Sequence, residues 1–535
     1  MINNIRNSIR GYNILKNSDN LNFITLIREQ FCEINLIKNK INNKVLPVGS
    51  HIPDYNIILK QFLLINCITI EFNRKVLFAL GSGKLTIKHP LPYEWRLVLE
   101  QNGFIANTVT NKFYWIFFVI KQIVAGIISI IHIFILYISY NLTRKKNELN
   151  NYVYFDGLNE LNFSHKNDLT ERHNLINWFL SKNKYSRNIK NITHSVKKVR
   201  TIRLKEVEIN YIASPILPIQ SFINILKYAK WATISIFYTF IDLIKFDYTT
   251  ALLLKHANFS KVINLIENNK LATSYYFHNS NHLLRPLWTY EAEKKGSNVY
   301  FFFYATNCET FKKNNEYPIQ QNNWQLITWC RIIVWDNYQS DFIKRCLINK
   351  QTKVEIEIVG SIWFADSDKD IEDLPSNFIA VFDVQPMRMA RYHLLGLSFD
   401  YYNTQNAIAF ITHIYKFAEK KNLTIVYKKK RNVGTLADKT YQNLILNLAK
   451  SNDFIIVNSD ISAHRLIKQA TAVISMPFTS TAIIAKELNK PTVFFDPNKL
   501  LQKDDRAAHG IEILYNSDEL ENWFLHLNTN NFNTN

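Results

Sequence analysis

Three consecutive hydroxyl residues, Thr479, Ser480 and Thr481, stand between the apolar run AVIS (472–475) and a helix-forming stretch that ends ahead of Pro491. A strand–turn–helix at this spacing brings unpaired N–H groups and the positive end of a helix dipole beside hydroxyl donors. That chemistry suits an anion, phosphate above all, and a plain helix cap needs only one of the three hydroxyls. Lys428, Lys430 and Arg431 follow the predicted strand 424–427. Alternating cations at the carboxyl edge of a parallel sheet can reach a diphosphate, the plainer alternative being a solvated basic loop. Gln385 and Arg388 lie in the loop after the predicted strand 378–384, where Arg388 can bind phosphate and Gln385 a sugar or a base. His464 and His509 fall near the same edge, each with a structural alternative.

Two carboxylates are candidate general bases. Asp156 ends the predicted strand 152–155 and is followed by Gly157, while Glu291 sits in RPLWTYEAE (285–293) among aromatic faces suited to stacking on a sugar. A base must reach the proton it removes, and each carboxylate can equally be structural. Gly81-Ser82-Gly83-Lys84 is not a P-loop, because Phe78 and Leu85 occupy the positions that need Gly and Ser or Thr. It is expected to be a tight strand-to-helix turn after a strand at 75–80, with Gly81 and Gly83 letting the backbone approach a ligand.

Residues 376–515 must position most of these groups. Strands are predicted at 378–384, 424–427, 454–457, 472–475, 492–495 and 511–514, with helices at 407–420, 437–451 and 461–470 between them. Repeated βα units of this size give a parallel sheet covered by helices. Residues 70–365 are expected to form a second α/β unit, with a helix at 93–102 and strands at 75–80, 152–155, 273–277, 299–304, 331–335 and 354–359. An acidic stretch, Asp366 to Asp373 ahead of Pro375, marks the boundary. Residues 1–69 form a mostly helical lead-in, and 516–535 a terminal helix with a disordered tail. The fold class is therefore α/β with two Rossmann-like domains and a ligand cleft between them.

The 64 Lys and Arg against 44 Asp and Glu leave a net charge of +20. Such a balance suits a phosphorylated ligand or an anionic membrane surface. The basic residues are scattered and form no arm with interleaved Gly, which argues against nucleic acid. Five cysteines without CxxC spacing fit a reducing compartment and argue against a zinc site or disulfide framework. Twelve glycines and no GxGxxG after a strand argue against a nicotinamide or flavin enzyme. The hydrophobic segment 113–140 is long enough to span a bilayer. Lys112 before it and Arg144, Lys145 and Lys146 after it do not place its ends on opposite sides. An interfacial or re-entrant insert is favoured, with a true span and a buried core helix as alternatives.

The segment VISMPFTSTAIIAKELNKPTVFFDP (473–497) resembles the donor-binding segment of GT-B bacterial surface-polysaccharide glycosyltransferases. It is particularly similar to the type that holds the phosphate of a CMP-activated acidic sugar at a Ser/Thr-rich helix start. HPLPYEWRLVLEQNG (89–103), YVYFDGLNELNF (152–163) and RPLWTYEAEKKGS (285–297) look like the N-terminal half of surface-carbohydrate biosynthesis proteins. The resemblance covers about residues 70–520. Pro477-Phe478 replaces the Gly-Ser/Thr turn of many such enzymes, and the segment is also similar to CDP-glycerol polymerases.

The resemblance implies a metal-independent, cofactor-free, inverting transfer from a nucleotide-sugar to a lipid-linked or oligosaccharide acceptor. It places the enzyme at the cytoplasmic face of the inner membrane, in polysaccharide or lipopolysaccharide assembly. Thr479, Ser480 and Thr481 would meet the donor phosphate, with Lys428, Lys430, Arg431, Arg388, Gln385, Gly81 and Gly83 as further donor contacts. Asp156 or Glu291 would deprotonate the acceptor. The rivals are a glycerophosphotransferase, a sugar-nucleotide epimerase and a non-catalytic assembly scaffold.

Overall fold

The computed structural model describes residue 149 and residues 18–143, 151–163, 172–199, 201–204, 206–281, 283–306, 308–318, 323–347, 353–367, 369–371, 374–388, 401–430 and 433–531. Arg431, Arg144, Lys145, Lys146, Asp368, Glu372, Asp373, the first seventeen residues of the lead-in and the last four of the tail lie outside the described residues.

Two sheets organise the chain. The first holds β1 (Tyr152–Phe155), β2 (Asn191–His194), β3 (Ile202–Leu204), β4 (Val207–Tyr211), β5 (Ser274–His278), β6 (Asn298–Phe302), β7 (Arg331–Val334) and β8 (Glu355–Ile358), in the order β3-β4-β2-β1-β5-β6-β7-β8. All its pairings are parallel except β3 with β4. The second is wholly parallel: β9 (Phe378–Asp383), β10 (Thr424–Lys429), β11 (Phe454–Val457), β12 (Ala472–Ser475), β13 (Thr492–Phe495) and β14 (Ile513–Leu514), in the order β11-β10-β9-β12-β13-β14. β1, β5, β9 and β12 are buried at every residue, as strands covered by helices on both faces must be. The chain leaves β9 for β10 on one side and returns to β12 on the other. The crevice at that reversal is where open α/β sheets bind ligands.

The regular elements described before β1 are all helices. The expected strand 75–80 is instead part of a helix, Ile70–Ser82, which buries Phe72, Val76, Leu77 and Ala79 in the helical layer. A short apolar run does not distinguish strand from buried helix, and the burial spacing here is helical. Gly83, at φ 68°, is the left-handed cap of that helix. Gly81 lies inside its last turn and is buried. Neither glycine forms a strand-to-helix turn, so both leave the set of donor contacts.

The hydrophobic insert is one helix, Val109–Thr143. It packs against helix Thr249–Leu265, where a Cβ on Gly126 would come within 2.7 Å of Leu254. Among the described residues it is the one helix long and apolar enough to cross a membrane by length and composition.

The two sheets meet through their loops. Asp366, 1% exposed, accepts hydrogen bonds from the backbone N–H of His173 (2.8 Å) and of Ser462 (2.9 Å), and pairs with Arg465 at 3.1 Å. One buried carboxylate thus ties both domains. A second seam joins the loop after β6 to the C-terminal domain: Asp505 accepts from the Lys312 N–H (2.8 Å) and the Tyr317 hydroxyl (3.2 Å), and Arg506 stacks 3.6 Å over Tyr317.

Candidate functional site

The carboxyl ends of β1 and β5 open into a cavity of about 510 Å³. Asp156 supplies its carboxylate. Phe277, Trp288, Pro215 and Pro286 form apolar walls, and Leu64, Ile65 and Arg28 enter from the helical layer. Asp156 follows directly from β1, its N–H donating to the Tyr276 carbonyl at 2.9 Å, which fixes the side chain at the sheet edge. Burial raises the Asp156 pKa above the usual carboxylate value, against a weak 3.4 Å hydrogen bond from the Tyr154 hydroxyl. A carboxylate shifted in this direction, set in an aromatic pocket, is suited to general-base work. Gly157, at φ 68°, must be glycine, because a Cβ would lie 2.4 Å from His278 Nε2. His278 bonds the Gly157 carbonyl at 3.1 Å and packs on Tyr304 and Phe364, residues that lead to the interdomain seam.

Glu291 is not part of this site. It is buried in helix Trp288–Lys294 and lines a separate cavity with Lys261 and Lys294. Its oxygens meet His51 Nε2 (2.7 Å) and Asn264 Nδ2 (3.2 Å), so it fastens the helical lead-in to the sheet. Of the two candidate bases, only Asp156 lines the cavity at the carboxyl ends of β1 and β5.

Across the seam, the hydroxyl turn starts helix Ser480–Glu487 and faces the other domain, with its hydroxyls engaged rather than open. Thr479 Oγ1 donates to the Met476 carbonyl at 2.9 Å and contacts Thr481 Oγ1 at 3.0 Å. Thr481 Oγ1 lies 2.9 Å from Ser475 Oγ. Ser480 Oγ accepts from the Thr306 N–H at 3.2 Å and lies 3.0 Å from Thr306 Oγ1. The sequence expectation of an open phosphate mouth is therefore corrected. Thr479 and Thr481 fold back on their own turn, and Ser480 bridges the domains. Because the Thr479 hydroxyl points backward, no side chain caps the helix start. Phe478 adopts φ 63°, a conformation that costs a non-glycine residue strain, held by ring packing on Phe311 and Phe494. The Pro477-Phe478 departure thus preserves the left-handed turn that glycine would take at no steric cost.

At the chain reversal beside β9, Asp383 is fully buried. Its Oδ2 accepts from the Tyr427 and Tyr441 hydroxyls, both at 2.7 Å, and its Oδ1 has no partner among the described residues. Burial pushes its pKa up to about 6. Gln385 is 9% exposed, and its Oε1 also has no partner among the described residues. Lys428 is buried and donates to the Ser459 carbonyl at 3.0 Å, with burial lowering its pKa to about 8. Lys430 and Arg388 are exposed, and the Arg388 backbone is held by the Leu436 carbonyl at 3.0 Å. The cations expected to converge are therefore split, Lys428 inside and Lys430 and Arg388 at the surface. His464 and His509 are seam residues: His464 meets Ser361 Oγ at 2.9 Å and His509 meets Asp336 at 2.5 Å.

Sequence reasoning missed Asp383, Tyr427 and Tyr441 as one buried cluster, and the role of Asp366. Asp383 lies two residues before Gln385, and a carboxylate ending a central strand was an available signal.

Two largely parallel Rossmann-like sheets that meet through their loops, with a carboxylate pocket on one and an uncapped hydroxyl turn on the other, define an architecture of the GT-B type. The chain belongs to the family described as polysaccharide biosynthesis PFTS motif proteins, whose model matches residues 232–524, more than half of its length. No curated protein matches it. Similar solved structures include UDP-GlcNAc 2-epimerase from Methanocaldococcus jannaschii, at 10% identity over 70% of this chain and 91% of that one, with a TM-score of 0.35. Anabaena Alr3699/HepE in complex with UDP and glucose is 10% identical over 71% and 89%, with a TM-score of 0.34. Medicago truncatula UGT71G1 complexed with UDP-glucose is 9% identical over 65% and 80%, with a TM-score of 0.31.

Proposed function

We propose that the protein is a nucleotide-sugar-dependent glycosyltransferase of polysaccharide assembly. The observation that carries this reading is the placement of the Asp156 pocket and the uncapped helix start at Ser480 on the carboxyl edges of two sheets that meet. The C-terminal domain takes the donor. Its uncapped N–H groups and helix dipole stabilise charge on the departing phosphate, and Asp383 and Gln385 offer acceptors for donor hydroxyls or amines. Ser480 exchanges its bond to Thr306 for the donor phosphate as the domains part. The N-terminal pocket takes the acceptor, stacking it on Trp288, and Asp156 removes the proton of the attacking hydroxyl. Family membership supports polysaccharide as the pathway, and the exposed apolar helix Val109–Thr143 supports a lipid-linked acceptor at the cytoplasmic face of the inner membrane, as in lipopolysaccharide assembly.

The test is a donor screen followed by an acceptor assay. Thermal shift with CMP, CDP, UDP and GDP identifies the nucleotide, since a ligand bound only by the folded form raises apparent stability. The matching nucleotide-sugar is then incubated with lipid-linked acceptor. Ser480→Ala is expected to lower donor kcat/KM by about 30-fold, the loss of one hydrogen bond to a charged group. Unchanged turnover in that variant removes the turn from the reaction. An isomerised donor without acceptor, or phosphate retained in the product linkage, replaces glycosyl transfer by epimerase or glycerophosphotransferase chemistry.

A further inference from the structure

Helices Val109–Thr143 and Phe222–Ile244 carry apolar residues on both faces. Their buried faces mix large side chains, Trp115, Val119, Ile123, Ile130 and Ile133 on the first and Ile225 and Tyr228 on the second, with small or polar ones, Gly126 and Ser129 on the first and Ala232, Ser235 and Thr239 on the second. A buried relay links both to helix Thr249–Leu265. The Tyr228 hydroxyl donates to Asn258 Oδ1 at 2.6 Å, Asn258 Nδ2 donates to Ser129 Oγ at 3.0 Å, and Ser129 Oγ donates to the Gly126 carbonyl at 2.6 Å. Their outward faces are large and apolar. Phe117, Ile128 and Leu142 on the first helix are 68%, 60% and 78% exposed, and Phe237, Phe240 and Ile244 on the second 62%, 49% and 78%. Water disfavours that arrangement. A lipid interface favours it, because the outward apolar side chains leave water there.

Charge names the partner. Lys112, Lys121, Lys227, Lys230 and Lys245 are exposed on or at the ends of the two helices. The one acid among them, Asp242, is turned inward to Asn42 (2.9 Å) and Thr250 (3.1 Å). The orientation follows from the packing. Trp115, Val119, Ile123, Ile130 and Ile133 bury one side of the first helix against the domain over most of its length. At about 1.5 Å per residue it is about 50 Å long, against a hydrocarbon core of about 30 Å. Standing it upright in a bilayer would pull the attached sheet into hydrocarbon.

We propose that the outer faces of these two helices form one in-plane surface that docks on an anionic lipid bilayer, the apolar side chains entering the interface and the lysines meeting headgroup phosphates. Helix Tyr55–Cys67 connects this surface to the acceptor pocket, since its Phe62 packs on Phe118 while Leu64 and Ile65 line the cavity. The proposal deepens, and for its purpose rests on, the reading of a lipid-linked acceptor, but vesicle binding is measured without turnover, so the two can fail separately.

The test is flotation of the full chain with phosphatidylcholine vesicles and with phosphatidylcholine–phosphatidylglycerol vesicles. The parent protein is expected to bind the mixed vesicles at least about tenfold more tightly than the neutral ones. Phe237→Glu with Phe240→Glu is expected to lower binding by at least about tenfold. Lys227→Glu with Lys230→Glu is expected to remove most of the preference for anionic lipid. All three proteins should give the same circular dichroism melt, since the substituted side chains are exposed. Vesicle binding unchanged in both variants overturns the proposal, as does a detergent-free dimer that hides the face and ignores vesicles. A probe on Ile128→Cys quenched most strongly from the bilayer centre overturns the in-plane orientation, whereas quenching from the headgroup region supports it.

Discussion

The C-terminal sheet is made from one run of chain, β9 to β14, with helices between strands that follow one another in sequence. The N-terminal sheet instead carries a helical layer assembled from two distant stretches, residues 18–143 and 222–265. The first arrangement makes a ligand crevice from local βα loops, as parallel sheets generally do. The second makes its pocket from residues far apart in sequence, Leu64 and Ile65 beside Asp156 and Trp288. Under the proposed function the two do different work: the locally built domain would present backbone N–H groups and buried acceptors to a donor, and the long-range one would shape an acceptor pocket, while its apolar helices face the surroundings.

The largest expected effect sharpens that division. Asp156→Asn is expected to lower the transfer rate by about a thousandfold, the loss of a positioned base, while the nucleotide thermal shift is retained. A parallel loss of nucleotide binding would put the two domains in one site and dissolve the contrast. Next comes the tie between them. Asp366→Ala leaves the Arg465 guanidinium and two backbone N–H groups without their buried carboxylate, and is expected to cost about 3 kcal/mol in urea unfolding. Two separate unfolding steps in that variant, against one in the parent, would show that this contact couples the domains.

The C-terminal domain should carry its own pH signature. The Asp383 carboxyl titrates at about 6 in the folded chain, against an ordinary 3.8. The folded state therefore holds the proton more tightly, and this contribution is full below about pH 4 and lost as pH rises to about 6. The free energy of urea unfolding should fall by up to about 3 kcal/mol across that window. Asp383→Asn should flatten it, and an unchanged profile would place the titration elsewhere. The smallest effect belongs to Glu291. Glu291→Gln is expected to cost about 1 kcal/mol of stability and to leave transfer within about twofold of the parent, because it ties His51 and Asn264 rather than substrate. A thousandfold loss of transfer would return it to the acceptor site.

The C-terminal domain was the more legible in sequence. Its strands at 454–457, 472–475 and 492–495 fall where the apolar runs between turn residues place them, and so does β1. Continuous apolar runs bounded by breakers are a local signal. The same signal misled at Lys75–Leu80, a buried helix, because its neighbours in the helical layer lie elsewhere in the sequence. β2, β3 and β4 are short and polar enough to leave no such signal. Helix Phe222–Ile244 passed unnoticed although its 23 residues hold only Lys227, Lys230 and Asp242 as charges. Composition gives its length and apolarity, but not which face points outward.

By itself the chain's order of residues determined the βα rhythm, the hydroxyl turn, the Asp156 strand end and the long apolar segment, because each is encoded within about fifteen neighbouring positions. Only the tertiary structure decided that Ser480 bridges to Thr306, that Glu291 fastens a helix, that Asp366 clamps two domains and that polar Ser129 and Asn258 face inward while phenylalanines face out. Those outcomes depend on which distant groups arrive to satisfy a buried donor or acceptor, and no local pattern carries that information.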